Sequence, residues 1–284
     1  MKALRNGSGR STLIAMTVLT RLAALTLAAA VMTAAGPRDV LSRARQLYNQ
    51  AQYDAAIAAA REAASAPELA DAARLVSARA YLERFRARAD AADLVAAREA
   101  LKQVRDTALG PDDRVELTIA FGESLYLADQ PGAAAEQFEL ALARADRKRP
   151  ERRHRLLDWW ASALDRQAFL GTPADAQAVG GRIVNRMEEE LSADARSTVA
   201  SYWLMAGARW AGDLERAWDT AVAAWVRATQ MGKAGLDLRA DLDRFVSQTI
   251  IPERARQQAP GNAAPAAAVM NRQWEAFKQA WSVR

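Results

Sequence analysis

Small and apolar residues recur along this chain with helical spacing and break at short polar turns, and the clearest instance lies at 121–142. Gly122 is followed by Leu125, a polar turn at 129–132, and then Ala134, Phe138 and Ala141, at offsets of +3, +12, +16 and +19 from Gly122. The same offsets begin at Ala44, with Leu47, Ala56, Ala60 and Ala63, and at Met205, with Ala208, Ala217, Ala221 and Ala224. Offsets of three and four mark one face of a helix, and the polar break between them reverses the chain. Each copy therefore predicts a helix hairpin, its small residues letting two backbones approach closely along a seam.

Two further units fit the plan with a longer elbow. In 70–109, Ala78 and Tyr81 precede Ala97, Leu101 and Val104, and the +12 step becomes +19, the extra residues falling at 84–92. In 155–191, Leu157, Trp160, Ala161 and Leu164 precede the turn Gly171-Thr172-Pro173, then Ala176, Gly180 and Ile183, with a step of +15. Gly180-Gly181 inside a helix costs about 1 kcal/mol per glycine relative to alanine, which close packing or a local bend would explain. With 38–65, 111–145 and 193–231 these make five helix pairs. Leu236, Leu238, Leu242, Phe245 and Val246 then predict a capping helix, and the Pro- and Ala-rich segment 257–268 a flexible linker. Met270, Trp274, Phe277 and Trp281 lie at helical spacing in an amphipathic helix at 269–284, expected to dock on the protein's own surface, with a partner or membrane groove as the other destination.

The turn Gly212-Asp213-Leu214-Glu215-Arg216-Ala217 and its counterpart Gln52-Tyr53-Asp54-Ala55-Ala56-Ile57 resemble the turn and second-helix entry of tetratricopeptide repeats. The series Gly122, Leu125, Ala134, Phe138 and Ala141 is similar to that family's packing signature, and the resemblance spans 38–231. The small first-helix positions Ala44, Ala78, Gly122, Ala161 and Met205 are spaced by 34, 44, 39 and 44 residues, against a family period of about 34. The resemblance implies an all-α fold, a right-handed solenoid of helical hairpins over 38–256 with a C-terminal capping helix. It also implies that the first helix of each pair lines a concave wall, which places Arg45, Tyr48, Asn49, Arg79, Tyr126, Arg166, Tyr202, Arg209 and Trp210 where a partner would lie. Aromatics interleaved with arginines suit an extended peptide, supplying flat contact area and donors for its carbonyls and carboxylates.

Composition narrows the function. The chain has 284 residues, 51% hydrophobic and 26% charged, which is neither a disordered nor a multispanning composition. Residues 1–35 carry Lys2, Arg5, Arg10 and Arg21, no acid, and an apolar run at 22–31 ending in small residues, the pattern of a secretory signal peptide with Thr33-Ala34-Ala35 as a cleavage site. Four of the 39 basic residues lie in that leader, so the remainder holds 35 against 34 acidic ones, a net +1. Nucleic-acid binding, which needs a large cationic excess, loses its support. The basic run at 144–155 reads as a solvated helix end, with an acidic partner or lipid headgroups as the alternative.

Candidate chemistry is sparse. With no cysteine, disulfides and thiolate metal sites are excluded, and the single histidine, His154, sits among arginines. Asp241 and Asp243, and the run at 188–190, read as solvated charge because i and i+2 face apart on a helix. No phosphate-binding glycine loop, GxSxG elbow or SxxK pair occurs. The expectation is an exported, periplasmic or secreted, non-catalytic scaffold that takes a protein or peptide partner and no cofactor, metal or nucleic acid. Membrane attachment enters only through an uncleaved leader or a tail docked on lipid, which would make the chain a tethered assembly factor. The other alternative is a small-molecule or carbohydrate pocket built from Trp159, Trp160, Trp203, Trp210, Trp218 and Trp225.

Overall fold

The computed structural model describes residues 36–145 and 149–282, so the leader expected at 1–35 lies outside the described residues. Among these the regular elements are all helical. In chain order they are α1 (Pro37–Asn49), α2 (Tyr53–Ala63), α3 (Ala70–Arg88), α4 (Ala91–Lys102), α5 (Pro111–Tyr126), α6 (Pro131–Arg144), α7 (Pro150–Leu170), α8 (Pro173–Ala193), α9 (Thr198–Trp210) and α10 (Leu214–Gln230). There follow α11 (Leu236–Phe245), a π-helical turn (Val246–Ile250), α12 (Ile251–Gln258) and α13 (Ala263–Ser282). Five of these helices open on proline, at Pro37, Pro111, Pro131, Pro150 and Pro173, where a missing N–H costs nothing and φ is already helical. Each helix packs on its neighbours in the chain, and α3 also touches α1 and α5, as α9 touches α7 and α11. The molecule is thus a succession of helix pairs, most first helices lying against the next first helix.

Three of the pairs share one turn down to its hydrogen bonds. The N–H of Gln52 donates to the carbonyl of Leu47 at 2.9 Å, that of Gln130 to Leu125 at 3.0 Å, and that of Asp213 to Ala208 at 3.0 Å. The residue before each of these donors is left-handed: Ala51 at φ 57°, Asp129 at φ 59° and Gly212 at φ 82°. This is the six-to-one closure of a helix by a left-handed residue. It falls at the same distance from Ala44, Gly122 and Met205, so the shared offsets reflect a shared backbone. Ala56, Ala134 and Ala217 are then each the fourth residue of a second helix and fully buried.

The two stretched pairs absorb their extra residues as helix. In α1, α5 and α9 the helix ends five, four and five residues after the small position, whereas α3 continues ten residues past Ala78 and α7 nine past Ala161. The overrun of α3 is anchored by Arg84, which bonds both Asp93 and Asp54, and by Arg88, 2.8 Å from Asp54. After α7, Thr172 and Asp175 cap α8 reciprocally, each backbone N–H donating at 3.2 Å to the other's side chain. Gly180 explains itself by close packing. A Cβ there would lie 2.3 Å from the Ala211 nitrogen and 2.6 Å from the Trp210 carbonyl carbon, so α8 meets the end of α9 backbone to backbone. Gly181 faces open space.

The C-terminal region departs from expectation. Only a four-residue turn at 259–262 separates α12 from α13, and 263–268 is helical. Alanines that read as a linker are also good helix formers, and packing decides between the two. Trp274 is completely buried, with its ring centroid 5.7 Å from that of Trp218 and 5.4 Å from that of Trp225, and its indole N–H donates to Asp243 at 2.8 Å. Lys278 reaches the same carboxylate at 2.6 Å. The expected capping helix, linker and tail are therefore one sixth pair, α11–α12 with α13. Pro252 has no N–H to offer Gln248, and the helix widens into its π turn immediately before it.

Candidate binding groove

The nine residues expected to meet a partner all lie on first helices, and nearly all already have partners in neighbouring first helices. Arg45 on α1 reaches Asp113 on α5 at 2.8 Å, passing over α3. Arg79 sits 4.5 Å above the Tyr48 ring and pairs with Glu116 at 2.9 Å, while Arg152 on α7 takes the same glutamate at 2.7 Å. Burial pushes the Tyr48 hydroxyl up to about 12. Asn49 is exposed at the end of α1. A first-helix side chain that reaches the next-but-one first helix needs this face to curve inward, because packed helix axes are roughly 8–10 Å apart. Arg86 repeats that reach, lying 5.8 Å over the ring of Trp159 on α7.

Toward the middle of the molecule this face opens. Alone among successive first helices, α5 and α7 are not in close contact, and Phe138 and Trp159 fill the gap with ring centroids 5.8 Å apart. Beyond them lies a groove of about 590 Å³ running along the last turns of α7. Tyr126, Arg166, Arg209 and Trp210 line it, so four of the nine expected residues converge here. Arg45, Tyr48, Asn49 and Arg79 stay at the amino-terminal end of the face. Tyr202 turns to the other side of Trp203, into a separate 380 Å³ pocket with Asp158, Asp237 and Asp241. Its rings with Trp203 and Phe245 are 5.2 and 5.8 Å apart, and burial raises its hydroxyl to about 12.

The polar groups of the groove are held by one another. Trp210 donates its indole N–H to Asp165 at 2.6 Å and lies under the Arg209 guanidinium, 4.1 Å from its ring centroid. Arg209 in turn forks onto Glu253 with contacts of 2.6 to 3.0 Å. Arg166 pairs with Asp129 and lies 5.4 Å from the Tyr126 ring centroid. These contacts fix the side chains and leave ring faces and edges as the available surface. Phe169, 75% exposed, and Leu170, 61% exposed, stand on its rim as two of the most exposed large apolar side chains described. Sequence reasoning passed over both, and over Phe245 and Thr249 across the groove. The available signal was that Phe169 and Leu170 lie off the apolar stripe of Leu157, Ala161, Leu164 and Ala168, directly before the Gly171 turn.

The other candidates resolve into structure. Arg149 and Arg152 meet Asp112 at 3.2 Å each, Arg153 pairs with Glu190, and His154 lies 3.8 Å from Asp194, so the described part of the basic run is largely neutralised by carboxylates. Asp241 faces Arg244 at 3.3 Å, and Glu188 pairs with Arg216. The six tryptophans do not share a pocket: Trp159 packs on Phe138, Trp160 is fully buried in the core, Trp218 and Trp225 pack on Trp274, and Trp203 and Trp210 line the groove. Among the described residues no group of three His, Cys, Asp or Glu side chains could hold a metal ion, and no helix is long and apolar enough to cross a membrane. Compared with protein-family models, curated proteins and solved structures, the chain matches none.

Proposed function

We propose that this protein is a non-catalytic interaction scaffold, an exported tetratricopeptide-like right-handed solenoid that binds an extended segment of a partner protein along its first-helix face. The groove carries the reading. It gathers Tyr126, Trp203, Trp210 and Phe245 around prearranged polar contacts, and it sets Phe169 and Leu170 in water at its edge. Exposed aromatic and aliphatic side chains beside a shaped apolar recess are what protein interfaces use as anchors. The three identical turns and the inward reach of Arg45 and Arg86 support a curved stack of pairs in which this face is the inner one. The leader pattern at 1–35 supports export to the periplasm or beyond.

The test is crosslinking in the native compartment from a photoreactive side chain at position 170, followed by capture with the unaltered protein and with Phe169→Ser and Trp210→Ala. One partner should crosslink from position 170, and both substitutions should weaken its capture about tenfold or more. Undiminished capture by both variants would sink the groove as the binding surface. Saturable binding of a free sugar with quenching of Trp210 would replace the peptide with a small molecule.

A further inference from the structure

A second opening lies away from the groove, at the junction between the second and third pairs. There α4 rests only lightly on α5, whereas α2, α6 and α8 are each packed along the first helix that follows them. The connector 103–110, with a short 3-10 turn at Asp106–Ala108, carries the chain from α4 to α5. The resulting cleft holds about 550 Å³. Leu101, Phe121 and Leu125 supply apolar walls, and Arg98, Lys102, Ser124 and Gln137 supply the polar ones.

Two of those polar side chains have nothing to bond. Lys102 pairs with Glu99 at 2.7 Å and the Ser124 hydroxyl donates to the Phe121 carbonyl at 2.9 Å. Arg98 and Gln137, both half-buried, make no hydrogen bond or ion pair among the described residues. This sets Arg98 apart from Arg79, Arg84, Arg152, Arg153, Arg186 and Arg209, each of which faces a carboxylate. A guanidinium partly withdrawn from water gains most from a bidentate anion, and the Gln137 amide supplies a further donor to the same cleft. Seven residues line the cleft, fewer than the roughly 20–30 per side that a stable protein interface uses. Its volume lies in the range of about 300–1,000 Å³ that small-molecule sites occupy.

We propose that this cleft binds an amphiphilic carboxylate: a single aliphatic chain seated on Leu101, Phe121 and Leu125, with its terminal carboxylate held by Arg98 and Gln137. The site is separate from the groove and does not depend on the function proposed for it. Titration calorimetry with decanoate, kept below micelle-forming concentrations, tests it against decyltrimethylammonium and decyl maltoside. One decanoate should bind per chain, about tenfold or more tighter than the cationic and neutral analogues. Arg98→Gln should weaken decanoate about tenfold and leave decyl maltoside unchanged, with Arg98→Lys between, because lysine keeps the charge and loses the fork. Phe169→Ser, in the groove, should leave decanoate binding intact. Because Arg98 has no partner among the described residues, Arg98→Gln should melt at the temperature of the unaltered protein. Failure of the unaltered protein to bind decanoate, equal binding of the three amphiphiles, or no effect of Arg98→Gln would each overturn the proposal.

Discussion

The pairs α1/α2, α5/α6 and α9/α10 are built to one measure, while α3/α4 and α7/α8 are not, and the openings of the molecule cluster at the second kind. In the regular pairs the first helix stops within five residues of its small position and the left-handed turn returns the chain at once. In α7 the helix runs on by a turn, and that extra turn carries Phe169 and Leu170 to the rim of the groove. In α3 the overrun carries Arg84, Arg86 and Arg88, and α4, which rests only lightly on α5, leaves the Arg98 cleft between them. Regular spacing produces closed seams. Departures from it produce surface that is shaped but not covered.

The comparison can be broken most sharply at Gly180 and Gly181. Gly180→Ala forces a Cβ against the backbone of α9, which has no flexible tip to yield, and should cost about 3 kcal/mol in urea unfolding. Gly181→Ala, one residue on and facing open space, should stabilise by about 0.5–1 kcal/mol. If the two substitutions have equal effects, α8 and α9 are not in backbone contact.

A next-smaller effect is expected where the overrun of α3 meets the regular pair. Glu123 is 4% exposed, and burial raises its carboxyl to about 7 even though Arg86 stands 3.4 Å away. A carboxyl whose folded pKa lies above its unfolded value binds its proton more tightly when folded, so its contribution to stability is fully present below pH 4.5 and declines as pH rises to about 7. Urea midpoints of the unaltered protein should therefore show a declining component across that window, and Glu123→Gln should remove it. A Glu123→Gln profile parallel to the original would place the proton elsewhere.

Within the regular pairs the three turns share their backbone hydrogen bonds and hold different residues left-handed, Ala51, Asp129 and Gly212. Gly212→Ala should destabilise by about 1 kcal/mol and Ala51→Gly should stabilise by somewhat less, since the left-handed conformation costs roughly 1–2 kcal/mol for a residue with a Cβ. Both are read as shifts in thermal midpoint, and opposite signs are required. The smallest change in stability belongs to the groove. Phe169→Ser replaces an exposed side chain and should move the unfolding free energy by less than about 0.5 kcal/mol while weakening partner capture.

The all-α fold was legible because small residues at fixed offsets report a seam and the turn that precedes it. The nine expected partner residues were less so. Position on a first helix can be read from spacing, but Asp113 beneath Arg45, Glu116 beneath Arg79 and Glu253 beneath Arg209 belong to other helices, and pairing across 37 to 68 residues leaves no local trace. Phe169 was missed for the opposite reason: it lies off the stripe, so periodicity does not mark it, and only its apolar character just before the Gly171 turn does. The C-terminal alanines misled because flexible linkers and helices draw on the same residue there, and the burial of Trp274 decided the outcome.

That tryptophan also covers the far side of the α9/α10 pair. A stack of helix pairs has no internal limit on its length, since the last pair always presents a surface suited to another. By closing over Trp218 and Trp225, Trp274 covers a surface that would otherwise be open to a further helix pair. A chain cut after 262 would leave those two indoles as an adhesive terminus and should form concentration-dependent multimers to a greater extent than the unaltered chain.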